Sequence, residues 1–345
     1  MSTSETTQAD VPGKQALLPL HIAKTLFLKI GVLPFFLVAA LVIFSLVSGS
    51  FLTLGNLTNV ARQSVYLMLV SLGQMIVLVT GGFDLAVGTA IALTSVVAAI
   101  AMVAFAAAMP EHVWIAIILG CLVGIAIAVA VGCLNGVGVA QFGVSPFIMT
   151  LGTQSVGAGL ALYMTGGVPV SRLPFEFANT FGFGRLFGVP VPVVIALVAI
   201  VVVWVTMNRT RLGAQIYAVG GNLRAAHLSG INTKKVLFLA YVFSALLASI
   251  AGLLLTARVE SGETNLGGSM ALESIAACVI AGVSLRGGIG RVESVVLGAF
   301  FIALVQNGMN IAQISSYMQM VLLGGLLILA VVFDQFRYRM LIGRT

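Results

Sequence analysis

Between Ile30 and Phe333 the chain is a succession of apolar runs, each near the length a helix needs to cross a bilayer, separated by short polar connections. A membrane-crossing helix takes about 20 apolar residues. Ten segments approach that length: 30–50, 63–80, 86–109, 113–133, 144–165, 189–207, 236–256, 271–285, 292–308 and 317–333. The expected fold is all-α, a polytopic membrane protein of about ten transmembrane helices. Only 8% of the 345 residues are charged and 60% are hydrophobic, far from the quarter or so charged in an ordinary soluble domain. The 39 glycines lie largely within apolar stretches, where small residues let helix backbones approach closely.

The organisation expected is a polar, disordered lead at 1–24, a transmembrane domain over 25–335 and a short tail at 336–345. The first apolar run starts far from the N-terminus and is too long for the core of a secretory leader. Lys and Arg are retained on the cytoplasmic side of a membrane. Lys14, Lys24 and Lys29 precede the first span, Arg337, Arg339 and Arg344 follow the last, and the loop 208–235 holds Arg209, Arg211, Arg224, Lys234 and Lys235 with no acid. Both termini and this loop are therefore expected in the cytoplasm. Ten spans divide into two halves of five, and because five is odd the second half is inverted relative to the first, as in inverted-repeat transporters. Gly81-Gly82 before the third segment and Gly267-Gly268 before the eighth occupy corresponding places.

Several chemistries are excluded. The net charge of +7 comes from scattered cations without interleaved aromatics, so no nucleic-acid partner is expected. None of the five lysines follows the glycines of a phosphate-binding loop, so the chain cannot hydrolyse ATP alone. His21, His112 and His227 are far apart and near segment ends, which supports neither a metal site nor a catalytic triad. Cys121, Cys133 and Cys278 lie in apolar runs and read as small buried residues. No catalytic residue, metal or cofactor is expected.

An ionisable residue inside the membrane is a functional hypothesis because burying its charge is costly. Asp84, in Gly81-Gly82-Phe83-Asp84-Leu85, and Glu273, near the start of segment eight, qualify. The competing reading places each at an interface, solvated or beside a helix N-terminus where a carboxylate suits the dipole. Neutral hydrogen-bonding residues in or beside the spans include Gln74, Asn135, Thr150, Thr153, Gln154 and Asn307, a lining suited to an uncharged polyhydroxylated solute. Gly82, Asp84, Asn135, Gln154 and Glu273 form the candidate pathway or gate set. Gly120, Gly124, Ala128 and Gly132 recur every fourth residue along segment four, the pattern of a close helix crossing. In the 208–235 loop, Asn222 is a good N-cap and Gly230 a good terminator, which defines a two-turn helix. Its small residues Ala225 and Ala226 suit a groove on a partner.

Three blocks carry a resemblance: Gly81-Gly82-Phe83-Asp84-Leu85-Ala86-Val87-Gly88, the run Gly220 to Ile231, and the run Glu273 to Gly290. In order and spacing they resemble the permease subunits of bacterial ABC sugar importers of the ribose, xylose and autoinducer-2 type, over about residues 25–335. The resemblance implies an inner-membrane complex of two permeases, identical or not, with cytoplasmic ATPase subunits that use ATP and a periplasmic solute-binding protein. It also implies that Asn222, Arg224, Ala225, Ala226 and Gly230 belong to a coupling helix docking on the ATPase. Phe83 and Ala86 replace the Ile and Ser usual in the first block, so no particular sugar is carried over. A branched-chain amino-acid importer permease and an ion-coupled secondary carrier are the alternatives.

Overall fold

Where a hydropathy scan weakens, at Asn59, Arg62 and Gln63, the helix does not. In the computed structural model, which describes residues 33–342, the second helix begins at Leu54, because the Thr53 hydroxyl caps it by accepting from the Asn56 N–H. The span expected from residue 63 is thus α2, Leu54–Val79, 26 residues long and about 39 Å at 1.5 Å per residue. It follows α1, Leu33–Val47. The first half continues with α3, Val87–Ala108, α4, Val113–Ala140, and α5, Pro146–Thr165. Pro146 occupies the first turn of α5, where its missing N–H costs nothing, and Gly166 ends the helix at φ 61.

A hairpin of β1, Arg185–Leu186, and β2, Val189–Pro190, precedes the second group of helices. Its two turn residues, Phe187 and Gly188, both have positive φ, the requirement of a two-residue turn that matches strand twist. Then come α6, Val191–Arg209, α7, Arg211–Gly221, α8, Leu223–Leu228, α9, Thr233–Val259, α10, Met270–Ile280, α11, Val292–Ile311, and α12, Ser316–Ile342. The last helix continues through most of the residues expected as a tail; the expected lead at 1–24 lies outside the described residues.

Among the described residues seven helices, α2, α3, α4, α5, α6, α9 and α11, are long and apolar enough to cross a membrane. Three further apolar stretches, α1, α10 and Ser316–Leu329 of α12, are shorter. The protein is an all-α polytopic membrane protein. Its most enclosed helix is α2, packed against α9, α11, α10 and α6. The small-residue stripe of α4 is a packing surface, as its spacing predicts. A Cβ on Gly124 would come within 2.7 Å of the Ala98 Cβ on α3, and one on Gly132 within 2.8 Å of the Tyr241 carbonyl on α9.

The chain between α9 and α10 turns back into the bundle beside α3. Gly262 pairs by main chain with Val170, the Glu263 N–H donates to the Ser95 hydroxyl at 3.1 Å, and a Cβ on Gly88 would meet the Gly267 carbonyl at 2.6 Å. Helix α10 therefore starts inside the bundle, beside the start of α3.

Candidate functional site

Helix α2 stops because its last turn is closed locally. The Thr80 hydroxyl donates to the Val77 carbonyl at 2.7 Å, and Gly81 takes φ +83, which a side chain resists. The next residues are held from outside by α9 and α5. A Cβ on Gly82 would lie 2.7 Å from the Tyr241 Oη, so a side chain there would push that hydroxyl aside. The Phe83 carbonyl accepts from the Tyr241 hydroxyl at 3.3 Å and, more weakly, from Thr150 at 3.5 Å.

Asp84 is 2% exposed, so the solvated-interface reading of this carboxylate does not hold. Its Oδ2 accepts from the Ser244 hydroxyl at 2.8 Å and its Oδ1 from the Ala86 N–H at 3.0 Å. Ala86 is the N-cap of α3 and offers no side-chain cap. The carboxylate two residues earlier accepts from the N-cap's own N–H and places its charge at the positive end of the helix dipole. Tyr241 and Ser244, three residues apart on α9, therefore clasp the break between α2 and α3. Sequence reading did not single them out: their spacing puts two hydroxyls on one helix face, but nothing local says what they face.

The other pathway candidates are dispersed. Asn135 on α4 is buried and its Oδ1 accepts from the Thr153 hydroxyl of α5 at 2.7 Å, while the Gln154 carbonyl accepts from Thr89 of α3 at 2.8 Å. These bonds tie α4, α5 and α3 together. Glu273 joins neither group. It is half-buried on α10, at a cavity of about 150 Å³ shared with Ile302 of α11 and Leu323 and Leu327 of α12.

At the end of the bundle where α2 terminates, three glycine pairs meet. The Gly288 N–H donates to the Val79 carbonyl at 2.8 Å, a Cβ on Gly220 would overlap that same carbonyl at 1.7 Å, and one on Gly287 would lie 3.0 Å from the Gly81 nitrogen. The end of α7 is thus seated on the break. The Tyr217 hydroxyl of α7 adds a bond to the Gly290 carbonyl at 2.8 Å. Burial, reinforced by the Glu293 carboxylate, holds this phenol above its ordinary pKa. Glu293 itself accepts from the Trp204 indole of α6.

One residue beyond this junction, Asn222 caps α8, its Oδ1 accepting from the Ala225 N–H at 2.9 Å. The far end closes with a Schellman pattern: Gly230 at φ +82 donates to the His227 carbonyl at 3.0 Å and Ile231 to the Ala226 carbonyl at 3.1 Å. Both expected caps are present. The expectation that Ala225 and Ala226 both enter a partner's groove needs correction for Ala226. That side chain is 4% exposed and belongs to the protein's own core, so its small size serves the seating of α8 on the bundle. The outward face carries Leu223, Arg224, Ala225, His227 and Leu228, with Leu223 50% and Leu228 79% exposed.

Residues 56–331 match the family described as branched-chain amino acid transport system / permease component. The chain belongs to this permease family. Among curated relatives it is 36% identical to the D-allose transport system permease protein AlsC of Escherichia coli (strain K12), covering 87% of this chain and 90% of that one. It is 37% identical to the ribose import permease protein RbsC of Bacillus subtilis (strain 168), covering 85% and 89%. To the galactose/methyl galactoside import permease protein MglC of Salmonella typhimurium it is 36% identical, over 90% and 96%. No solved structure matches the permease.

Proposed function

We propose that the permease is the membrane-spanning subunit of an ABC importer, carrying a neutral monosaccharide across a bacterial inner membrane. The observation that carries the substrate class is that relatives aligned over most of both chains are named for allose, ribose and galactose transport. The alternatives have less support. The family's printed description mentions branched-chain amino acids, but those three relatives are sugar permeases. An ion-coupled carrier would draw on Asp84 and Glu273, yet Asp84 is enclosed and committed to Ser244 and Ala86.

In this reading the seven long apolar helices, with α1, α10 and α12, make ten spans in two inverted halves of five. The approach of Gly88 to Gly267 supports it, since it brings the two breaks that hold the corresponding glycine pairs against one another. The loop 208–235 and both termini lie in the cytoplasm. Partners are a second permease, identical or different, a periplasmic solute-binding protein and a cytoplasmic ATPase that binds and hydrolyses ATP; the permease itself is no enzyme and holds no cofactor. Gly82, Asp84, Asn135, Gln154 and Glu273 stand along the pathway or its gate.

The mechanism rests on α8. Asn222 and Gly230 hold its ends, Leu223, Arg224, Ala225 and Leu228 meet the ATPase, and Ala226 fastens it to the bundle. ATP-driven closure of the ATPase pair pushes on α8, and the backbone junction of Gly220, Gly288 and Val79 transfers the displacement to the chain ahead of Asp84. Because Asp84 anchors both the start of α3 and the Ser244 face of α9, a shift there moves two spans together.

The test is to reconstitute the importer and replace Leu228 by Glu. This puts a charge into an apolar contact, and uptake and solute-stimulated ATP hydrolysis should fall together while the permease accumulates normally. Ala226→Trp should differ, lowering permease stability because it overpacks the chain's own interior. Normal ATPase association and uptake for Leu228→Glu would refute the assignment of α8.

A further inference from the structure

Three cations meet at the end of the bundle away from α8. Arg62 lies two turns into α2, Arg185 stands on β1, and Arg258 falls in the last turn of α9. Arg185 and Arg258 both act on the Arg62 charge, and Arg62 and Arg258 act on the Tyr66 phenol. No carboxylate is among the groups acting on Arg62. Among the described residues none of the three guanidiniums forms an ion pair; Arg258 rests over the Phe183 ring at 5.7 Å. The Arg62 Nε and the Tyr66 hydroxyl are buried without a hydrogen-bond partner among the described residues, and Tyr66 is 4% exposed. Arg62 and Arg185 line a pocket of about 310 Å³ together with Thr58 and Asn59.

This arrangement is unfavourable on its own. Like charges drawn together in partly desolvated positions repel, and buried donors without acceptors lose the hydrogen bonds they made with water. A single oxyanion between the guanidiniums answers the first problem. The guanidinium fork matches carboxylate and phosphate oxygens in two parallel bonds, while the Asn59 amide lies on the same wall. The chain invests residues from α2, the hairpin and α9 in the cluster, so the fold converges on it rather than leaving one stray surface cation.

We infer that this pocket is an oxyanion-binding site, taking a phosphate or carboxylate group between Arg62 and Arg185, with Arg258 adding to its positive field. Two sources share that chemistry. Leu54 lines the pocket and is exposed, which suits the headgroup of an anionic lipid whose acyl chains lie along α2. A free anion meets the same donors.

The experiment uses the full chain purified in a neutral detergent. Inorganic phosphate is titrated at constant ionic strength while thermal unfolding is followed, and the protein is then placed in nanodiscs of phosphatidylcholine with or without phosphatidylglycerol. Wild-type protein should be stabilised by phosphate or by phosphatidylglycerol. Arg185→Gln, on an exposed strand, should weaken that response on the order of ten-fold in apparent affinity, and Arg62→Gln should weaken it further. Retention of phosphatidylglycerol through purification, with phosphate competing for it, identifies a lipid site. Stabilisation by phosphate without any lipid effect identifies a soluble anion. The inference is overturned if wild type and Arg185→Gln respond alike to both probes. In that event the arginines are left to face acidic side chains of a protein partner. Should Arg62→Gln fail to accumulate, Arg185→Gln alone decides.

Discussion

The break between α2 and α3 encloses its carboxylate, whereas the break that leads into α10 leaves Glu273 half-exposed beside an apolar cavity. Both breaks hold paired glycines, Gly81-Gly82 directly after α2 and Gly267-Gly268 just ahead of α10. What separates them is the helix that each faces. Helix α9 turns Tyr241 and Ser244 onto the first break, supplying donors to the Phe83 carbonyl and to Asp84. Helix α3 turns Ser95 onto the second break, where the hydroxyl accepts from the Glu263 N–H and from the Thr256 hydroxyl. Each break is thus clasped by a span from the other half of the chain, but only the first clasp includes a charge. A buried carboxylate with two donors fixes a geometry; a backbone contact with neutral hydroxyls leaves the second break easier to displace. On the proposed reading, the first break is the one expected to act as a pivot.

The sharpest way to break this comparison is Asp84→Ala. It leaves the Ser244 hydroxyl and the Ala86 N–H without their acceptor, and hydrogen bonds to a charged group contribute about 1.5 to 3 kcal/mol each. Unfolding of the purified protein should show a loss of about 3 to 5 kcal/mol. Adding Ser244→Ala to that background should cost little more, because its partner is already gone. A loss below about 1 kcal/mol would remove the pivot.

The contact between the two breaks gives a middle-sized effect. Gly88→Ala drives a Cβ against the Gly267 carbonyl at 2.6 Å, and backbone has little room to yield, so a destabilisation of about 1 to 3 kcal/mol is expected. Gly152→Ala on α5, where no atom lies within 4 Å of the added carbon, is the control and should leave stability unchanged. Equal behaviour of the two variants would mean that the breaks are not in contact.

The smallest effect is expected at Glu273. Its side chain makes no hydrogen bond or ion pair among the described residues, so Glu273→Gln should change stability by no more than about 0.5 kcal/mol. A loss comparable to that of Asp84→Ala would erase the distinction between the two breaks. With stability preserved, a fall in uptake would attach Glu273 to transport rather than to folding.

Local information was legible in the residues. Asn222 and Gly230 bound α8 as expected because a cap and a left-handed terminator are settled by a few neighbouring residues. The four-residue spacing of Gly120, Gly124, Ala128 and Gly132 announced a close helix crossing for the same reason, although it did not name α3 and α9 as the helices crossed. The start of α2 was misjudged by nine residues. A hydropathy scan averages over Asn59, Arg62 and Gln63, whereas the helix follows its Thr53 cap.

The sequence by itself determined that the chain is helical and lives in lipid, where its helices break, and that Asp84 and Glu273 stand near those breaks. Apolar length, glycine and capping chemistry act over a turn or two of chain, so they can be read in order. Only the tertiary structure decided that Asp84 is enclosed while Glu273 is not, that Ala226 turns inward, and that Arg62, Arg185 and Arg258 gather at one end. Those outcomes depend on which faces of distant helices meet. Asp84 and Ser244 are 160 residues apart, and no short-range property of either one specifies the other.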